Sequence, residues 1–253
     1  MDCLDAKSLS LPGTEVRVVQ RCASTNSALL GEKGARCVLL AAEEQTAGRG
    51  RRGRRWHSAP GAGLTFSVAR TVRRPVRELA GLSLVAGVGV ARALRALGVA
   101  HAALKWPNDI VADHAKLGGI LVETRGAGEA LRAVIGIGIN CRRDSSLSIR
   151  LGRKVAFLDD FMECRDRNSI LEKIALALLA SLEAFEAGGL EPLRREWQAM
   201  DAYAGHKLRV RLADGRVVTG TADGLAQDGG LLLATARGVR AIRSGRVLSA
   251  RPA

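Results

Sequence analysis

Short apolar blocks recur along most of the chain, and two stretches carry apolar residues at helical spacing instead. Val16-Arg17-Val18-Val19 predicts a strand, and the following Ser24-Thr25-Asn26 offers three caps for a helix over residues 27–32. Residues 37–42 form a continuous apolar run, the pattern of a strand buried on both faces. A loop dense in glycine and arginine then runs through Pro60 to Gly63, and residues 64–69 predict another strand. Over 76–97 the spacing is helical, with Glu78 in the first turn and Gly98 just past the end. Four strands are predicted at close intervals, over 103–106, 110–112, 118–123 and 131–139, and Pro107-Asn108-Asp109 supplies the turn between the first two. A second long amphipathic helix is predicted over 170–187, ending at Gly188-Gly189.

After about Gly205 the texture changes to short strands punctuated by Asp214-Gly215, Asp223-Gly224 and Asp228-Gly229, which read as hairpin turns. This tail predicts a small β-barrel. The main body mixes runs of strands with two long helices rather than alternating strand and helix, so the predicted class is α+β.

Composition narrows the partners more than the fold. Hydrophobic residues make up 47% and charged residues 25% of 253 residues, ordinary for a globular chain with a sizeable core. Lys and Arg number 39 against 25 Asp and Glu, a net charge of +14, which favours an anionic partner such as nucleic acid, a phosphate or an acidic protein. The five cysteines, Cys3, Cys22, Cys37, Cys141 and Cys164, are scattered and outside any Cys-x-x-Cys spacing, which points to a reducing compartment. The first ten residues lack the basic and apolar regions of a signal peptide, and the most apolar run, 82–94, contains Ser83 and Arg92 and falls short of a membrane span. A cytoplasmic protein without membrane contact is expected.

The candidate chemistry begins in the loop. Gly48-Arg49-Gly50-Arg51-Arg52-Gly53 satisfies the Gly-x-Gly-x-x-Gly spacing of dinucleotide folds, but that fingerprint needs a helix after it. Residues 56–61 have no apolar period and break at Pro60, and Arg55 cannot replace the Ser/Thr of a P-loop. What remains is a flexible basic loop, expected to order around an anion, phosphate and carboxylate suiting its guanidinium groups equally; read alone it fits a solvated loop or a nucleic-acid arm better than a ligand clamp. Lys105-Trp106-Pro107-Asn108-Asp109 joins a cation, a ring, an amide and a carboxylate in one turn, or is a plain β-turn with Trp106 in the core. Lys116 opens a strand with Gly118-Gly119, and Gly136-Ile137-Gly138-Ile139-Asn140 repeats the glycine device, either to let a ligand approach the backbone or to pack strands closely.

Taken together, and in this order, Ser24-Thr25-Asn26, Gln45 with Ala47 to Trp56, Lys105 to Asp109, Lys116 to Glu123 and Gly136 to Asn140 resemble the biotin protein ligase (biotin–[acetyl-CoA-carboxylase] ligase) family. The resemblance implies a mixed-sheet catalytic domain of the biotin/lipoate ligase type over 1–204 and a small SH3-like barrel over 205–253. It implies an ATP-dependent ligase that forms biotinyl-5′-AMP and passes biotin to a lysine of the biotin carboxyl carrier protein of acetyl-CoA carboxylase, with Mg²⁺ as activator. Ser24, Thr25, Asn26, Gln45, Gly48, Arg49, Gly50, Arg51, Lys116, Gly119 and Gly138 would hold biotin. Arg51, Arg54, Trp56, Lys105, Asn108, Asp109 and Asn140 would serve ATP, Asp109 would face the metal, and Lys116 and Arg51 would be catalytic.

Some relatives place a helix-turn-helix domain before the catalytic domain. Only 23 residues precede Ser24, so no sequence-specific DNA binding is expected, and monomer and homodimer are both compatible. Gly118 stands where relatives often carry Ala, an exchange expected to be harmless, and residues 141–168 show no family pattern. Two alternatives remain: a lipoate or octanoate transferase of the same fold, with Cys141 as the candidate nucleophile, and a nucleic-acid-binding protein using residues 49–55 as its arm. The second would want aromatic residues among the basic ones, and only Trp56 is there.

Overall fold

The structure, a computed structural model, describes residues 3–252 apart from 35, 58, 127–129 and 165. Ser58, in the aperiodic stretch after Trp56, lies outside the described residues. A seven-stranded mixed sheet is built from β1 (Thr14–Cys22), β2 (Cys37–Gln45), β3 (Gly63–Val72), β4 (Ala103–Lys105), β5 (Asp109–Ala112), β6 (Ala115–Arg125) and β7 (Leu131–Asn140). Their spatial order is β1-β2-β3-β7-β6-β5-β4; β1 and β2 run parallel and every other pair antiparallel. All six body strands predicted after β1 lie where the apolar blocks placed them.

Alternation along three central strands decides what each face does. Register places Ser67 opposite Gly136 and Thr65 opposite Gly138, while Gly136 and Gly138 lie opposite Leu121 and Gly119. Small or polar residues therefore line one face, whereas Phe66, Val68, Ile135, Ile137 and Ile120 point to the other and are buried there. The apolar face is covered by α2 (Leu82–Ala96) and α4 (Arg167–Gly188). These helices approach closely: a Cβ at Gly89 would lie 2.7 Å from the Ala177 carbonyl oxygen. The small-residue face is capped at one end by α1 (Thr25–Gly31), whose Leu29 packs with Val38, Leu40, Ala69 and Val134. Beyond that cluster it stays polar, and the site lies there.

Several expectations are corrected. The helix expected over 76–97 begins as a 3-10 turn, Val76–Gly81, and becomes α-helical only at Leu82, because Pro75 and the Arg74–Glu78 ion pair (2.5 Å) fix the entry before Gly81. The combined stretch Val76–Ala96 has the length and apolarity of a membrane span, but 72% of its most apolar window is buried inside the fold. Two helices escaped the pattern, α3 (Ser145–Leu151) and α5 (Glu191–Ala199). In α5 only Leu193 and Trp197, one turn apart, are buried, too few to set a period.

The tail is a five-stranded antiparallel sheet of β8 (Lys207–Leu212), β9 (Val217–Leu225), β10 (Leu231–Thr235), β11 (Gly238–Ile242) and β12 (Gly245–Arg251), in the order β11-β10-β9-β8-β12. This is the small C-terminal β domain expected, and among the described residues no ladder joins its edges β11 and β12. Asp214-Gly215 and Asp228-Gly229 are hairpin turns, but Asp223-Gly224 is not. It lies within β9 where the register to β10 shifts, and Gly224 adopts φ +82°, the left-handed conformation a bulge requires. The tail meets the body where the Trp106 indole N–H donates to the Gly229 carbonyl at 3.1 Å.

Candidate active site

The polar face of the sheet and the arginine loop enclose a cleft. Its inner end is a hydrogen-bonded set on α1 and the strands beneath it. Ser24 caps α1, its hydroxyl accepting from the Ser27 N–H at 3.4 Å. The Thr25 N–H donates to Gln45 Oε1 at 2.8 Å, and Ser67 Oγ lies 2.7 Å from Thr25 Oγ1 and 2.6 Å from Asn26 Oδ1. Asn26 Nδ2 donates to the Leu121 carbonyl (3.2 Å) and to Glu123 (2.9 Å), which also pairs with Arg49 at 2.7 Å. Gly136 makes room for this, since a Cβ there would sit 2.2 Å from Asn26 Oδ1.

The loop is a hairpin closed on itself, not a free arm. The Trp56 N–H donates to the Gly48 carbonyl at 2.9 Å and the Gly50 N–H to the Arg54 carbonyl at 2.6 Å. Between them a 3-10 turn, Arg51–Gly53, holds Arg52 at φ 58° and Gly53 at φ 70°. A Cβ at Gly48 would lie 2.7 Å from the Trp56 carbonyl oxygen, so glycine is what lets the hairpin close. The arginines divide their work. Arg49 pairs with Glu123, Arg55 donates to the Thr46 carbonyl and Arg52 reaches Ser244 of the tail, while Arg51 and Arg54 line the cleft.

Trp56 drops from the hairpin onto the sheet. A Cβ at Gly138 would lie 2.4 Å from its Cε2, and one at Gly119 3.6 Å from its Cζ3. The cleft retains about 80 Å³ of free volume beside the indole. Lys116 Nζ stands 5.9 Å from the indole centroid and is ion-paired with Asp109. A β-bulge aims it: Ile110 faces Gly118 while Val111 faces Lys116, so Leu117 is the extra residue and Lys116 shares a face with Asp109 and Gly119. Burial lowers the Lys116 pKa, against the opposing pull of Asp109.

A second cleft opens beside the first, lined by Arg51, Arg52, Arg54, Lys105, Asn108, Asp109, Arg153 and Arg246. Here Asp109 is the one carboxylate among six cations, and it is already engaged by Lys116. Burial lowers the pKa of Lys105, with Lys116, Arg153 and Arg246 adding repulsion; burial also lowers that of Arg51, with Arg52 and Arg54 adding theirs. Such crowding suits a polyanion. Asn108 braces the turn, its Nδ2 donating to the Ile120 carbonyl at 2.7 Å, and the Trp106–Pro107 peptide is cis.

Asn140 turns its amide away, to the carbonyls of Lys116 (3.3 Å) and Ala156 (3.1 Å), and so pins the following segment to β6. That segment brings Leu147, Leu151, Val155 and Arg153 beside Trp56 and Lys116, an apolar wall absent from the sequence-level site. Ser67, Glu123, Arg153 and Arg246 were missed as well. A lone serine alternating with buried apolar residues in β3 was the one readable signal.

The comparisons fit this geometry. Residues 22–140 match the Biotin/lipoate A/B protein ligase family and residues 209–248 the Biotin protein ligase C terminal domain. The bifunctional ligase/repressor BirA of Escherichia coli is 37% identical over 91% of this chain and 73% of its own length. The chain belongs to the biotin protein ligase family. It is a ligase. The biotin–[acetyl-CoA-carboxylase] ligase of Paracoccus denitrificans is 31% identical over 91% of this chain and 98% of its own. A solved biotin protein ligase from Aquifex aeolicus, in complex with biotin and ATP, superposes with a TM-score of 0.79 at 28% identity, covering 94% of this chain and 99% of that one.

Within this ligase, two sequence-level readings fail. Cys141 is fully buried, and the neighbouring Cys164 thiol together with burial pushes its pKa well above the ordinary value, so it offers no accessible thiolate for octanoyl transfer. Gly118 is not exchangeable at no cost: a Cβ there would meet Ile139 Cδ1 at 2.6 Å and the Gly138 carbonyl at 2.7 Å.

Proposed function

We propose that the chain activates biotin with ATP to biotinyl-5′-AMP and transfers the biotinyl group to a lysine of a biotin carboxyl carrier protein. One observation carries this: Lys116 lines a slot bearing amides and hydroxyls and pairs with Asp109, which lines the neighbouring cleft of six cations. The slot would take an uncharged, hydrogen-bonding head, and Ser24, Thr25, Asn26 and Gln45 would bind the ureido group of biotin there. Gly119 and Gly138 would let the ligand lie against the strands, with Gly48, Arg49, Gly50 and Arg51 folded over it. Arg51, Arg54, Lys105, Asn108 and Arg153 would hold the triphosphate; Trp56, with Leu147, Leu151 and Val155, would take the base.

In the first step a carboxylate oxygen of biotin bonds to the α-phosphorus as the bond to the β-phosphate oxygen breaks, releasing pyrophosphate. Two anions must meet, so fixed cations aimed at the transferring group lower the barrier. Lys116, between the clefts, is placed to touch both reactants. Among the described residues no group of three His, Cys, Asp or Glu converges. Mg²⁺ is commonly held through one or two carboxylates and the substrate phosphates, and Asp109 fits that part. Once the phosphates draw Lys116 away, Asp109 would hold the ion, which neutralises phosphate charge when bound. In the second step the acceptor lysine nitrogen attacks the acyl carbon, AMP leaves, and the amine loses a proton. Closure of residues 48–56 over the anhydride excludes water.

Incubation with Mg-ATP and biotin or lipoate tests this, with pyrophosphate release and acceptor labelling as readouts. Release with biotin and not with lipoate is expected. Release with lipoate alone overturns the reading.

A further inference from the structure

Lys105 ends β4 in an unfavourable place for a cation. It is half-buried and lines the cleft that Arg51, Arg52, Arg54, Arg153 and Arg246 also line. Burial works against its charge, as do Lys116, Arg153 and Arg246, while Asp109, directly opposite on β5, works for it. That carboxylate is already ion-paired with Lys116, and among the described residues Lys105 has no ion pair or side-chain hydrogen bond of its own. What its ammonium does have is an aromatic face: Nζ stands 5.4 Å from the centroid of the Tyr203 ring. A cation within about 6 Å of a ring centroid is attracted by the electron-rich face.

Tyr203 is the single tyrosine of the chain, and the backbone fastens it where β4 ends. The Leu104 N–H donates to the Met200 carbonyl at 2.7 Å, and the Ala202 N–H donates to the Leu104 carbonyl at 2.8 Å. The Tyr203 N–H donates to Asp201 at 3.0 Å, and the Tyr203 carbonyl accepts from the His206 N–H at 3.0 Å. The ring is half-buried against the apolar core, with the His206 ring 5.8 Å away. Residues 200–206 are therefore laced to Leu104, one residue before Lys105, so the same hydrogen bonds hold ring and ammonium together. Tyr203 lines neither the slot nor the cationic cleft, so its effect on a bound nucleotide must pass through Lys105.

We propose that Tyr203 is a positioning residue for ATP, its ring face holding the Lys105 ammonium in the cationic cleft without a carboxylate partner. The inference rests on the adenylation reading, which gives that cleft to the triphosphate. A carboxylate in the place of the ring would steady the lysine, but it would also cancel its charge and repel the incoming phosphates. A ring steadies the cation and leaves the full charge for the phosphates. Without that face a lysine on a flexible stem, repelled by its neighbours, would turn toward water. The Tyr203 hydroxyl makes no hydrogen bond among the described residues, so the face is the part that acts.

The test compares Tyr203→Phe, which keeps the face, with Tyr203→Leu, which keeps apolar bulk without it, and Tyr203→Met replaces the latter should it fold poorly. Each is made alone and together with Lys105→Met. Pyrophosphate release with biotin and Mg-ATP gives the KM for ATP, and calorimetry gives the Kd for biotin. Tyr203→Leu should raise the KM for ATP about fivefold and leave the biotin Kd within about twofold, while Tyr203→Phe stays within about twofold in both. Beside Lys105→Met, Tyr203→Leu should move the KM for ATP by less than about twofold, because the cation it held is gone. An ATP KM unmoved in Tyr203→Leu overturns the proposal. So does an equal loss in the Phe and Leu variants, which would assign the effect to the hydroxyl. A loss as large with Lys105→Met as without it also overturns it, and would reduce Tyr203 to packing at the junction. Wild-type protein that releases no pyrophosphate would instead sink the adenylation reading.

Discussion

The indole of Trp56 lies on Gly138 so closely that a Cβ there would fall 2.4 Å from its Cε2 atom. Among the described residues the indole N–H in that position is buried without a hydrogen-bond partner. Trp56 therefore fills the slot at a cost, and release to water would regain that hydrogen bond. Gly138→Ala should expel the ring from the sheet with little loss of stability, within about 1 kcal/mol, since the hairpin carrying it can move. Indole emission should shift to the red, and biotin affinity should fall about tenfold as the floor rises, an effect of about 1.4 kcal/mol. Gly136→Ala makes the contrast. Its Cβ would meet an Asn26 held by Ser67, Leu121 and Glu123, so the loss should appear in the thermal midpoint. Unshifted emission in Gly138→Ala would contradict the packing.

Lys116 and Arg51 should separate in kinetics. Lys116→Ala removes the cation between the two clefts and should stop pyrophosphate release with the fold intact. Arg51→Ala should weaken retention of the adenylate about tenfold more than binding of biotin, because the adenylate keeps a phosphate anion for a guanidinium to pair with. Calorimetry with each ligand decides it, and equal losses would remove Arg51 from the phosphate.

The hairpin of residues 48–56 rests on few backbone hydrogen bonds and carries five arginines close together, so a bound anion should tighten it. Biotin with ATP should slow amide exchange at Gly50, Arg54 and Trp56 about tenfold while leaving β3 and β7 unchanged. Exchange indifferent to both ligands would rule out a clamp.

Much of this was legible because alternation and motif spacing carry it. The isoleucines and glycines of β7 alternate, and that alone assigns one face to the helices and the other to a ligand. The order of Ser24 to Asn26, the arginine loop, Lys105 to Asp109 and Lys116 foretold which side chains meet. What stayed hidden depends on register and on distant partners. The bulge at Leu117 that turns Lys116 onto the Asp109 face has no local signature, and Arg246 comes within reach only through the docking of the tail. Gly118 looked exchangeable because its clash is with Ile139 on the neighbouring strand.

A buried ion pair also escaped the pattern. Arg167, 1% exposed at the start of α4, bonds Glu43 of β2 at 2.9 and 3.0 Å and donates to the Gly63 carbonyl at 3.2 Å; Glu43 also accepts from the Leu4 N–H at 2.6 Å. Removing one member takes an opposite charge and two hydrogen bonds from the buried charge that remains. Arg167→Met or Glu43→Leu should each cost about 3–5 kcal/mol, and the double variant less than the sum. Additive losses in urea unfolding would mean the pair is not coupled.

Asp201 ties the end of the helical body to β4 just before the tail begins, bridging Leu104 and accepting from the Tyr203 N–H at 3.0 Å. Burial pushes its carboxyl from 3.8 up to about 6, against the lowering effects of that hydrogen bond and of His206. The folded state thus binds the proton more tightly than the unfolded chain. The stabilisation this gives is complete below about pH 4 and lost as pH rises through about 6. Asp201→Asn keeps an acceptor for Tyr203 and removes the charge. It should stabilise the protein near pH 8 by up to about 3 kcal/mol and leave it nearly unchanged near pH 4, as read from urea midpoints of both proteins. A difference between variant and wild type that stays constant across this range would show that Asp201 titrates normally and that the junction is open to water.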